Sequence, residues 1–119
     1  MGEQRKHQRI EAHVPLRYGN VKDGSRNKGE GSITRDLSVG GVRFRTGSFI
    51  PMAKRLLVEL DIPEREKPIK AIAKIAWIKK TVSGNDYETG NQFLEMSKED
   101  RDYITDYISG SSVIARAGL

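Results

Sequence analysis

The feature that most constrains this chain is an alternation of apolar and polar side chains with a period of two, recurring between Val14 and Met96. Such a pattern describes strands that bury one face. It is longest in residues 69–80, where Ile69, Ala71, Ala73, Ile75 and Trp77 share a face. The opposite face, from Lys70 to Lys80, includes Ile72, Ala76 and Ile78, so this strand is expected to be covered on both sides along part of its length. Val42 and Phe44 point inward between the outward Arg43 and Arg45, and Leu56, Val58, Leu60 and Ile62 repeat the pattern until Pro63 stops it. Val14, Leu16 and Tyr18 open the series, a second run extends from Gly31 to Asp36, and the last spans Tyr87 to Met96. Polar turns separate these runs, among them Asp23-Gly24-Ser25 and Ser83-Gly84-Asn85-Asp86.

One helix follows the strands. Ser97 and Asp100 stand in the positions of a capping box, and Tyr103, Ile104, Tyr107 and Ile108 form an apolar stripe at helical spacing. Gly110 is expected to close it. Six short strands and one helix predict a mostly β fold, a small six-stranded antiparallel barrel with one C-terminal α-helix docked on it. With 119 residues the chain suits a single domain. Residues 1–13 contain only Ile10 as an apolar side chain larger than alanine after Met1, so a flexible basic arm is expected there. The barrel and helix then occupy residues 14–110, and residues 111–119 are expected to form a disordered tail.

The net charge of +5 is uneven: residues 1–60 hold 12 basic and 6 acidic side chains, residues 61–119 hold 9 and 10. A basic first half suits an anionic partner or simply a solvated surface. The absence of cysteine removes disulfide scaffolds, thiol catalysis and cysteine-ligated zinc. No apolar run reaches the roughly 18 residues of a membrane span, and Met1 to Lys6 lack the apolar stretch of a signal peptide. A cytoplasmic domain is therefore expected. His7 and His13 match no zinc spacing, and Ser38 has neither a nearby base nor a nucleophile elbow around it. The sequence thus predicts neither an enzyme nor a cofactor or metal site.

Two constellations carry chemistry. The first is Arg5-Lys6-His7-Gln8-Arg9, with two arginines four residues apart in the arm. Their planar, permanently charged forks match phosphate and stack on bases, although a basic terminal arm is also simply a solvated one. The second is Asp36-Leu37-Ser38-Val39-Gly40-Gly41. A tight turn wants these residue types. An ionised Asp36 also accepts two N–H bonds from one edge of guanine, Ser38 adds a hydroxyl donor, and Gly41 admits a flat ligand close to the backbone.

Together these two elements resemble the PilZ domain, a bacterial receptor for cyclic di-GMP whose signature is Arg-x-x-x-Arg followed by Asp/Asn-x-Ser-x-x-Gly. Ala73 to Trp77 looks like that family's strand ending in an aromatic residue, Tyr87 to Leu94 like its penultimate strand, and Ser97 to Ile108 like its closing helix. The resemblance covers about residues 5–108 and implies a barrel of the split type. It also implies that Arg5 and Arg9 clamp the phosphates and guanines of the ligand, that Asp36 and Ser38 hold a guanine, and that Gly41 keeps the turn open. Trp77 beside a base, with Lys6 and Gly40 near the ligand, are the weaker candidates it suggests. The resemblance thus implies a bacterial stand-alone receptor whose arm orders on taking up cyclic di-GMP and reshapes a surface for an unidentified downstream protein.

Two other readings compete. One is a basic barrel for single-stranded nucleic acid, which would need exposed aromatics for stacking. Aromatic residues are only 7% of the chain, and Phe44, Trp77 and Phe93 sit on alternating strands that suggest core positions, which argues against nucleic acid. The other is a ligand-free adaptor, for which Arg5, Arg9, Asp36 and Ser38 would be an unneeded combination.

Overall fold

A computed structural model describes residues 8–21, 29–82 and 84–116, with side chains described to residue 110. Seven strands and one helix follow in chain order: β1 (Arg9–Glu11), β2 (Pro15–Asn20), β3 (Glu30–Ser38), β4 (Gly41–Thr46), β5 (Arg55–Leu60), β6 (Ile69–Lys80), β7 (Tyr87–Met96) and α1 (Lys98–Arg116). Six of the strands run β3-β2-β5-β6-β7-β4, every pair antiparallel, and the β3–β4 pairing closes them into a barrel. β1 is an additional short strand along β3, with Arg9 opposite Ser38 and Glu11 opposite Asp36. The predicted barrel and single helix are therefore present.

The alternating positions fill the barrel. Leu37, Phe44, Val58, Leu60 and Ile69 are wholly buried, and the Tyr18 and Phe44 rings pack 5.2 Å apart. Two threonines inside it bond to neighbouring backbone: Thr34 accepts the Val14 N–H at 2.8 Å, and Thr89 donates to the Phe44 carbonyl at 2.9 Å. On the outer surface Arg17 donates to Glu59 at 2.9 Å and to Asp61 at 3.2 Å, and the Glu59 hydrogen bond holds its ionisation above the usual guanidinium value. The outer face of β6 lacks the second cover that its composition suggested: Lys70 and Ala76 are exposed, with Ile72 and Lys74 half-buried between them.

Helix α1 seals the barrel with Ile104 and Ile108, and it lies against β1 and β3. Its N-terminus is capped as expected, the Asp100 N–H donating to the Ser97 hydroxyl at 3.1 Å. The Asp100 carboxylate, instead of closing a capping box, pairs with Arg65 at 2.7 Å and accepts the Lys70 N–H at 3.1 Å, tying the β5–β6 loop to the helix. The helix runs on through Gly110 to Arg116. A single glycine lowers helix stability by about 1 kcal/mol relative to alanine without forcing an end. In the arm the backbone is already paired from Arg9 onward, Ala12 is buried, and Ile10 packs against the core.

At Gly41, the first residue of β4, the backbone of β7 comes close. A Cβ added at Gly41 would overlap the carbonyl oxygen of Asn91, an atom of the β7 backbone that cannot swing aside. Gly41→Ala should therefore lower stability by about 1–3 kcal/mol, read as a fall in the urea midpoint, whereas Gly47→Ala, with open space around its Cβ position, should leave the midpoint the same or slightly higher.

Candidate functional site

Leu37 points into the core, so its neighbours Asp36 and Ser38 face the outside of the barrel. The turn after them is shaped by Ser38 itself. Its hydroxyl accepts the N–H groups of Gly40 at 3.2 Å and Gly41 at 3.1 Å, and lies 3.4 Å from the Gly41 carbonyl oxygen to which it donates. This is the turn-building use of a serine, and the Ser38 side chain is buried. The close approach that calls for glycine at position 41 is to the Asn91 carbonyl oxygen of β7.

Asp36 is the electrostatic centre. Its Oδ1 is ion-paired with the Arg9 guanidinium from β1, and its Oδ2 accepts the Arg43 Nε–H from β4 at 2.8 Å. Strand pairing makes both contacts local: Asp36 is the direct partner of Arg43 across β3–β4 and the diagonal neighbour of Arg9 across β1–β3. The carboxylate is only 13% exposed, so its charge is held by these two cations in surroundings poorer in water than the surface. Arg43 also reaches toward Glu88 of β7, with Nη1 3.7 Å from Oε1.

Beside this cluster opens a cavity of about 580 Å³ on the outer barrel wall, lined by Arg9, Asp36, Ser38, Gly40, Gly41 and Arg43 on one side. Ala76 and Trp77 of β6 and Gly90 to Gln92 of β7 complete it. Trp77 arrives there through a break in the alternation. Ile75 pairs with Asn91 and Trp77 with Gly90, so β6 spends one extra residue in a bulge. The bulge turns Trp77, 39% exposed, out of the face that it would share with the buried Ile75. Its indole lies flat over Gly90, where a Cβ would overlap the ring.

Of the residues singled out from the sequence, Arg9, Asp36, Ser38, Gly40, Gly41 and Trp77 meet in this cavity, and Arg5 and Lys6 lie outside the described residues. The alternation had Arg43 facing outward, but nothing in the sequence gave the register that sets it against Asp36. Glu88, Gln92 and Ala76 carried no signal either. Among the described residues no group of His, Cys, Asp or Glu is arranged to hold a metal ion, and no helix is long and apolar enough to cross a membrane.

The fold and cavity together define a small closed β-barrel with a charged cavity on its outer wall, framed by two arginines, a carboxylate and an indole. The chain belongs to the PilZ domain family, whose pattern matches residues 3–110. Its fold is similar to that of the Bacillus subtilis inhibitor of motility MotI/DgrA, with a TM-score of 0.80 at 15% identity over 96% of this chain and 54% of that one. It is similar also to the PilZ domain of YcgR from Escherichia coli with c-di-GMP, at a TM-score of 0.68 and 17% identity over 98% and 97% of the two chains. The K. pneumonia MrkH–c-di-GMP complex gives a TM-score of 0.70 at 14% identity, covering 99% of this chain and 57% of that one. The chain thus spans about half the length of MotI/DgrA and of MrkH. A search of curated protein sequences returns no match.

Trp77 is the sole tryptophan, so its emission reports on this cavity alone. Gly90→Ala should push the indole off β7 toward solvent and shift the emission to the red, with the far-ultraviolet circular dichroism of the barrel retained. Unchanged emission would show that the ring does not rest on Gly90.

Proposed function

We propose that this domain is a receptor for cyclic di-GMP that binds the dinucleotide in the outer-wall cavity. The observation that carries this reading is the meeting of Arg9 with Asp36, residues 27 positions apart, at the rim of a cavity that also presents Trp77. Cyclic di-GMP carries two phosphates and two guanines on one compact ring. Arginine forks answer the phosphates, a carboxylate answers the guanine N1–H and N2–H edge, and an exposed indole offers a face to a base. Membership of the PilZ family supports the same ligand, as do the c-di-GMP complexes of the similar YcgR and MrkH structures.

In this reading Arg9, together with Arg5 and Lys6 of the preceding segment, clamps the ligand. Asp36 takes a guanine edge, the Ser38 turn with Gly40 and Gly41 holds the carboxylate's strand in place, and Trp77 flanks a base. Uptake then moves the segment before β2, which sits at the edge of β3, and alters the surface offered to a downstream protein. The domain works by binding, without catalysis or cofactor, in the bacterial cytoplasm.

Calorimetric titration tests the proposal. Cyclic di-GMP should bind saturably with a dissociation constant of about 1 μM or tighter, equivalent to about 8 kcal/mol, and Arg9→Ala should weaken it at least about tenfold by removing a charge-assisted contact. Cyclic di-AMP should bind far more weakly, because adenine leaves the Asp36 carboxylate without its donors. A folded sample that gives no saturable heat with cyclic di-GMP would remove the receptor reading.

A further inference from the structure

Arg43 belongs to neither sequence constellation, yet among the described residues it and Arg9 are the two cations that line the cavity. Their hold on Asp36 is unequal. Arg9 stands at the start of a three-residue strand that pairs with β3 alone. Arg43 lies inside β4, hydrogen-bonded into the sheet on both sides, opposite Asp36 of β3 and Gly90 of β7. Its side chain spans the same gap: Nε donates to Asp36 Oδ2 at 2.8 Å while Nη1 lies 3.7 Å from Glu88 Oε1. Both acids are largely shielded, their side chains 13% and 14% exposed.

A guanine edge that donates through N1–H and N2–H needs both Asp36 oxygens. Each carboxylate oxygen has two lone-pair directions, so Arg43 can keep one on Oδ2 while guanine takes the others. The contact freer to give way is the one Arg9 makes to Oδ1, because it comes from a three-residue strand paired on one side, whereas Arg43 is held between two strands. We infer that Arg43 is a positioning residue of the site: it holds Asp36 in orientation and keeps its charge compensated when Arg9 leaves the carboxylate for the ligand. The inference rests on the receptor reading and deepens it. Arg43 acts through Asp36 and Glu88, and the ion pair it leaves behind spares the shielded carboxylate from standing alone, a state that is costly away from bulk water. A lysine here would supply one compact ammonium in place of a planar fork and could not span the two acids in the same way.

The test compares cyclic di-GMP with cyclic di-AMP by calorimetry, carried to millimolar ligand, for the wild type, Arg43→Gln, Arg43→Lys and Glu88→Gln, with a thermal melt of each. Arg43→Gln should weaken cyclic di-GMP by about 10-fold to 100-fold, the scale of a lost hydrogen bond to a charged group. Cyclic di-AMP, which makes no use of the carboxylate edge, should be unaffected, so that guanine selectivity falls with the affinity. Arg43→Lys should fail to restore selectivity, and Glu88→Gln should show a smaller loss in the same direction. Equal weakening of both dinucleotides would make Arg43 a direct phosphate contact, and unchanged affinity for both in a folded variant would make it a surface ion pair; either overturns the inference. If Arg43→Gln does not fold, Arg43→Lys carries the same comparison. A wild type that binds no cyclic di-GMP rejects the receptor reading and this inference with it, whereas wild-type binding with intact selectivity in the variants rejects this inference alone.

Discussion

The structure depends on β3 being paired along both edges. One edge takes β2 and then β1, the other takes β4, and only this double pairing turns an open sheet into a closed barrel. Closure removes exposed edges from the barrel proper and gives every strand an inside and an outside. It also decides where polar residues can gather. Leu37 must face the core, so Asp36 and Ser38 must face out, within reach of whatever the flanking strands present. Those strands present Arg9 and Arg43, and the charged cavity is the outer consequence of the way the barrel is closed.

Charge and shape are divided between two walls of that site. The β1–β3–β4 side supplies a carboxylate between two guanidinium groups, strong because partly shielded and directional because each contact is a hydrogen bond. The β6–β7 side supplies a flat surface, made by an indole laid over a residue without a side chain. A ligand with phosphates and purines uses both kinds of wall. The Ser38 hydroxyl serves the first wall indirectly, by fixing the turn that sets the position of β4 against β3.

Much of the fold was legible because burial in a barrel imposes a period of two, which β2, β4, β5 and the first part of β6 show plainly. Strands β3 and β7 show it poorly, with Ile33 exposed beside the buried Thr34 and with Thr89, Gly90 and Asn91 buried in succession. The three residues of β1 escaped because Arg-Ile-Glu holds one apolar side chain, too few to show a period, and its pairing depends on the distant β3. The helix end was misjudged at Gly110 because glycine marks a stop only where the chain also turns left-handed, and α1 continues instead. Strict alternation carries Trp77 from Ile75 toward the core, and the one-residue bulge that turns it outward leaves no mark in the alternation itself. The Asp36 turn and Arg9 stood out as short motifs, and the fold brings them together at one cavity. The Asp36–Arg43–Glu88 chain did not stand out, since it follows from the register of three strands that no local pattern encodes.

The most direct test is a crystal structure of this chain with cyclic di-GMP. The complex is expected to place a guanine edge against the Asp36 carboxylate, with the Arg9 guanidinium moved onto a ligand phosphate and the Arg43 contact to Asp36 preserved. A ligand seated on another face of the barrel, or a bound guanine with the Arg9–Asp36 pair unbroken, would contradict that arrangement.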